Sequence, residues 1–155
     1  FAYPYGEASL EIETMVRQAG FSAAFGQHSG VIGSINDFYY LPRFSLNEAY
    51  GDLSRFRLAA NALALPVSDV TPADHLIGSD NPPAFGFTVT ADIGDLDRLP
   101  CFTSHEGKAD AHRLGDTRVE VRMKKPMPTG RNRINCTMPA AHDRWRWLGL
   151  QFFVP

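Results

Sequence analysis

Several things are scarce in this sequence of 155 residues. It holds two cysteines and five histidines, no apolar run near the ~18–20 residues of a membrane-spanning helix, and no surplus of positive charge. Fifteen Lys and Arg against seventeen Asp and Glu leave a formal charge of −2, so the basic footprint of a nucleic-acid binder is missing. A glycine-spaced serine elbow, a phosphate-binding lysine loop and a dinucleotide fingerprint are also absent, which removes those enzyme classes. His28, His75, His105, His112 and His142 are dispersed, with no pair three or four positions apart on a helix. The nearest approach to a ligand set is Cys101, His105 and His112, whose spacing matches no zinc pattern, so no metal site is assigned.

What is present is ordinary globular composition, 44% hydrophobic, 21% charged and 12% aromatic, which calls for a packed fold of one domain or two small ones. The chain opens at Phe1 inside the aromatic run Phe-Ala-Tyr-Pro-Tyr-Gly, which reads as the end of a buried strand. The expectation is that upstream sequence has been removed and that the chain is a fragment.

A helix follows, with Ile12, Met15, Val16 and Ala19 on one face, Ser9 as N-cap, Glu11 and Glu13 in its first turn and Gly20 as its stop. Phe21–Phe25 reads as a short buried strand, ahead of a glycine-spaced loop from Gly26 to Gly33. Phe38–Leu41 is a third apolar run, and Asn47 is expected to cap a second helix whose Leu53, Phe56, Ala60 and Leu63 share a face. Strand, helix, strand is the order of a parallel βαβ unit. Leu65–Pro72, with two prolines, reads as a linker or domain boundary. Beyond it Phe85, Phe87, Val89 and Ala91 alternate, as do residues 118–123, 133–137 and 144–152, between turn-rich segments. That grammar predicts an antiparallel sandwich. The expected fold class is therefore α+β, with residues 1–68 and 69–155 as two units.

Four features carry chemistry. Tyr3-Pro4-Tyr5-Gly6 stops a strand and aims its last backbone amides in a fixed direction, at the strand end where sites assemble in βα units. The alternative is a plain strand-to-helix turn with aromatic packing. Arg43 follows Leu41-Pro42 and either orients a carboxylate through paired donors or pairs with Glu48 or Asp52. Trp145 and Trp147 share one face by period-two spacing, as a glycan-stacking platform or as core. Cys101 and Cys136 are compatible with a cross-strand disulfide and with two buried thiols.

The ordered motifs Phe1-Ala2-Tyr3-Pro4-Tyr5-Gly6-Glu7, Gln18-Ala19-Gly20-Phe21, Ala23-Ala24-Phe25 and Tyr40-Leu41-Pro42-Arg43-Phe44 resemble the C-terminal part of polysaccharide deacetylases of the NodB-homology type, over roughly the first 65 residues. Gly130–Thr137 and Arg144–Trp147 look like the β-rich domain appended to some of them. The resemblance implies a partial (β/α) barrel followed by a β-sandwich. It also implies a metal-dependent hydrolase of carbon–nitrogen bonds other than peptide bonds, with a divalent metal such as zinc in the parent enzyme and a polysaccharide as substrate. By that resemblance Pro4-Tyr5 lies in the family's aromatic groove motif, the Tyr5 amide stabilises an oxyanion, Tyr3, Pro4 and Tyr5 wall the sugar site, and Arg43 orients the base. Ala2 stands where many members carry arginine. The family's metal-binding aspartate, histidine pair and catalytic base have no counterpart in this chain, so the chain alone is expected to be inactive. The substrate class points to an envelope or extracellular location, and unpaired strand edges point to self-association. The competing expectation is a non-catalytic carbohydrate-binding or interaction module built on Trp145 and Trp147, or a β unit that only braces the barrel.

Overall fold

A computed structural model describes residues 1–33 and 37–155. The chain is mixed α+β; the described residues form two α-helices and two sheets that face one another in sandwich-like fashion. Among the described residues no helix is long and apolar enough to cross a membrane.

In the first part, Ala2, Phe25 and Leu41 lie side by side in parallel, joined by isolated bridges. The backbone bonds Phe25 N to Phe1 O, Tyr3 N to Phe25 O, Leu41 N to Ala24 O and Gly26 N to Leu41 O run from 2.9 to 3.0 Å. Pro4, Gly26 and Pro42 end these segments before they grow into regular strands, because proline donates no ladder bond and glycine weakens strand pairing. Helix α1 (Leu10–Gln18) connects the first segment to the second. Ser9 Oγ accepts from Ile12 N, Glu11 and Glu13 occupy the first turn, and Gly20 takes φ +85° just past the end. The buried face differs from the expected one: Val16 and Glu13 point inward while Ile12 and Met15 are exposed.

Helix α2 (Leu53–Asn61) is capped by Asp52, whose carboxylate accepts from Arg55 N. Asn47 caps no helix. Its Oδ1 accepts from Ala49 N and Tyr50 N and closes a separate turn, with Gly51 between the two competing caps. Leu53 and Phe56, expected to be a packing face, are exposed.

Nine strands follow: β1 (Leu63–Ala64), β2 (Val67–Thr71), β3 (Phe85–Val89), β4 (Cys101–Thr103), β5 (Gly107–Lys108), β6 (Asp110–Leu114), β7 (Arg118–Arg122), β8 (Gly130–Ala140) and β9 (Arg144–Val154). One sheet has the order β1-β9-β8-β4-β5 and the other β2-β3-β7-β6, and every named pair is antiparallel except β1 with β9. The segment Leu65–Pro72 is not a linker. It holds β2, and Leu65 and Val67 enter the core; its prolines sit just outside the strand, where a missing N–H costs no ladder bond.

Period-two residues fill the space between the sheets: Phe85, Phe87 and Val89 from β3, Val119 and Val121 from β7, Ile134 and Met138 from β8, and Phe152 from β9. Ala91, expected on this face, lies past β3 and is exposed. Cys101 and Cys136 are directly opposed in the β4–β8 ladder, Cα to Cα 4.1 Å, and form a disulfide. A second small core holds Tyr3, Ala8, Val16, Ala24 and Tyr40.

The first part docks on the outer face of β9. Gly149 has no side chain because the Ser29 carbonyl occupies the place of a Cβ, and Gly30 lies against Pro42 and the Gly149 amide. Replacing Gly149 by Ala forces the loop at 26–30 away from the sheet and is expected to destabilise the protein by roughly 1–3 kcal/mol or more in urea unfolding. Gly78→Ala, where a Cβ meets open space at ordinary φ, is the matched control and should change stability little. The disulfide spans 35 residues of sequence, and Cys101→Ser/Cys136→Ser is expected to lose about 2–4 kcal/mol in the same measurement.

Candidate functional site

Tyr3-Pro4-Tyr5-Gly6 forms a 3-10 turn at the end of the first parallel segment, beside the ends of the other two at Gly26 and Pro42. Tyr5 adopts φ +57°, ψ 6°, and Gly6 follows at φ +71°. A left-handed tyrosine is strained by about 1–3 kcal/mol and persists only where its surroundings hold it. They do so here. Gln151 Nε2 donates to Tyr5 O at 3.1 Å and Gly6 O at 2.9 Å, and Tyr40 Oη donates to Gly6 O at 2.8 Å. Gly6 is required, since a Cβ would stand 2.6 Å from Gln27 N.

The amides of Tyr3, Gly6 and Glu7 are all bonded within the chain, to Phe25 O, Tyr3 O and Pro4 O. Tyr5 N has no acceptor among the described residues. It is a fixed N–H at a strand end with its hydrogen-bonding capacity unused.

The other expected site residues divide. Tyr3 does not wall an open groove: it is buried at 2% exposure, its ring packs against Phe1 and Tyr40, and its hydroxyl donates to Tyr39 O at 2.7 Å. Burial pushes that phenol up to about 12. Pro4 and Tyr5 are exposed, and the Arg131 guanidinium lies 5.2 Å from the Tyr5 ring centroid. Arg43 is exposed at the third strand end. It pairs with neither Glu48 nor Asp52; its Nε donates to Gly26 O at 2.9 Å, and among the described residues no other hydrogen bond or ion pair engages its guanidinium. Trp145 and Trp147 do not form a common platform. Trp147 is partly covered, edge-on to Phe44 at 5.2 Å and bonded through Nε1 to Asn135, whereas Trp145 remains exposed. Of the loop set, Cys101 is in the disulfide, His105 lies 3.2 Å from Glu106, and His112 is on exposed β6.

Buried polar groups beneath the turn were not legible from residue spacing. His28 stacks on Tyr40 with ring centroids 4.7 Å apart, Tyr40 packs against His75 at 3.9 Å, and His75 Nε2 stands 3.9 Å from Glu13 Oε1. The only hint was Gly26 and Gly30 around His28: a Cβ at Gly26 would meet the His28 ring. Burial pushes His28 down to about 3 and His75 down to about 4, so both rings are neutral at pH 7. Burial, and then the negative charges of Asp37 and Asp74, raise Glu13 to about 7.

Comparison of the chain with protein-family models, with curated proteins and with solved structures finds no match. Among the described residues, no three His, Cys, Asp or Glu side chains converge as a metal site. The described residues of this chain do not by themselves make a site for the divalent metal that the resemblance implies.

Glu13 has a pH signature with a definite sign. Its folded pKa is about 7 against ~4.3 in an unfolded chain. The protonated carboxyl is thus favoured by folding, and that contribution is complete below pH ~4 and lost as pH rises through 7. Glu13→Gln is expected to raise stability at pH 8 by on the order of 2 kcal/mol relative to its effect at pH 4, read from thermal unfolding at the two pH values. An equal effect at both would show that Glu13 does not titrate in this way.

Proposed function

We propose that this chain is the C-terminal part of a metal-dependent polysaccharide deacetylase that hydrolyses N-acetyl or O-acetyl groups on a glycan. On this reading the residues ahead of β1 are the closing segment of a (β/α) barrel, and the β unit, which begins with β1, braces it. The observation that carries the reading is the unengaged Tyr5 amide, held in a left-handed turn at the end of a parallel segment.

Addition of water to an acetyl carbonyl gathers negative charge on oxygen. A backbone donor already aimed at that position needs no reorganisation, and one such donor typically contributes ~2.7–4 kcal/mol to the barrier. Arg43, steadied at Nε and not otherwise engaged among the described residues, is suited to orient a carboxylate base. The base and the metal ligands come, on this reading, from outside this chain. Ile12, Met15, Leu53 and Phe56, all exposed, are the faces that further barrel elements would cover. Left uncovered, they and the open strand edges favour association between copies.

The bracing role is favoured over a tryptophan-based binding module. Gln151 of β9 holds both carbonyls of the turn, while Trp147 is engaged by Phe44 and only Trp145 is left open. Amide-resolved NMR of the chain titrated with an N-acetylglucosamine pentamer is expected to shift Tyr5 N–H and Arg43 Nε–H, with no acetate released by the chain alone. Shifts confined to the Trp145 indole would support the binding module instead. Robust metal-dependent acetate release by this chain would overturn the division of the active site.

A further inference from the structure

Beside the Tyr5 turn lies a cavity of about 380 Å³ whose walls include Gln27, Ser29, Asn47, Tyr50, Arg55 and Arg133. This size falls within the ~300–1,000 Å³ of small-ligand clefts. Both of its charged residues are arginines, in a chain whose formal charge is −2.

The ion pairs of the described residues engage Arg17, Arg113, Arg118, Lys124, Arg131 and two histidines, and neither Arg55 nor Arg133 has one. The nearest carboxylate in sequence, Asp52, is occupied in capping α2 and in binding Ser54. Arg55 Nε is buried with no acceptor, a state that ordinarily costs ~1–3 kcal/mol. Arg133 Nε donates to Gln151 Oε1 at 3.3 Å, which sets its position and leaves the rest of the guanidinium unengaged.

We infer that this cavity binds an acidic saccharide unit, its carboxylate or sulfate held between Arg55 and Arg133, next to the Tyr5 turn. The inference rests on the deacetylase reading for the ligand being a glycan. Chemistry within the cavity agrees with a sugar. Gln27, Asn47 and Ser29 supply neutral donors and acceptors for hydroxyls, and the exposed Tyr50 ring gives an apolar surface for a pyranose face. Arg55 Cζ lies over the Phe44 and Trp147 rings, 5.7 and 5.6 Å from their centroids, and these contacts help to hold the guanidinium in place. Gln151 connects the two sites physically, accepting from Arg133 at one end of its amide and donating to Tyr5 O at the other. A glycan threaded along this edge places an acidic residue next to the acetylated one.

The test is calorimetric titration of the chain with a galacturonic acid trimer, a 6-sulfated N-acetylglucosamine oligomer, a neutral N-acetylglucosamine trimer, and free acetate and sulfate. At least one acidic oligomer is expected to bind more tightly than the neutral trimer, by at least about ten-fold, with affinity that falls as NaCl is raised. Which of the two does so separates carboxylate from sulfate. Arg55→Gln and Arg133→Gln are each expected to weaken that binding by about ten-fold, and Arg55→Gln, which leaves the Gln151 contacts in place, is expected to leave the neutral trimer unaffected. Thermal unfolding of each variant confirms that it is folded, and the salt dependence of the unaltered chain requires no variant. Free acetate or sulfate binding as tightly as the acidic oligomers would overturn the inference in favour of a simple anion site. Acidic oligomers binding no better than the neutral trimer would also overturn it while leaving the deacetylase reading intact. If the neutral trimer fails to bind or to shift Tyr5 N–H while an acidic oligomer binds through the arginines, the inference stands and the deacetylase reading fails.

Discussion

Gln151 projects from the outer face of β9, and at 1% exposure its amide is out of reach of water. A buried primary amide is tolerated only when its donors and acceptor are met, because an unmet group loses solvation with nothing in return. Its nitrogen reaches the carbonyls of Tyr5 and Gly6, its oxygen receives Arg133, and its own backbone carbonyl takes contacts from His75 and Tyr40. These partners belong to four separate stretches of the chain. The left-handed Tyr5 turn is held by this amide, and Tyr40, His75 and Arg133 are tied to the same residue.

The two packed regions differ in kind for a simple reason. Inside the sandwich, two apolar faces meet and the core is built from Phe, Val, Ile, Leu and Met around one disulfide. At the junction, the first part of the chain meets the outer face of a sheet, where alternation places polar residues. Burying that face encloses Glu13, His28, Gln151 and most of His75. The histidines stay neutral and the carboxyl holds its proton to near neutrality because ions would be desolvated there. Charge is kept at the rim, where Arg43, Arg55 and Arg133 surround the strand ends.

This arrangement gives the candidate site the support that positioned chemistry needs. A loop amide is a poor catalytic donor if its turn can relax, and a turn with positive φ at a tyrosine would relax without external ties. Side chains from β9 and from the third parallel segment supply those ties, so the β unit takes part in holding the turn. The same ties place the arginine-lined cavity at a fixed position relative to the turn.

Local physics was legible in the sequence. Ser9 and Gly20 bound α1 because a hydroxyl cap and a left-handed glycine act within one turn of the chain, and period-two alternation in β3, β7, β8 and β9 identified half-buried strands because pleating is local. The strand-ending turn at Tyr3–Gly6 was readable for the same reason. What the tertiary structure alone decided is which surfaces meet. Asn47 and Asp52 are both good caps by residue type, and the structure uses Asp52 for the helix and Asn47 for a turn. Leu65–Pro72 carries two prolines and still enters the core, because the prolines fall at strand borders. Gln151 between Leu150 and Phe152 gives no signal of its own, and neither do Glu13, His28 or His75. Their meaning comes from residues more than a hundred positions away in some cases, and such distant contacts leave no periodic trace in the chain that forms them.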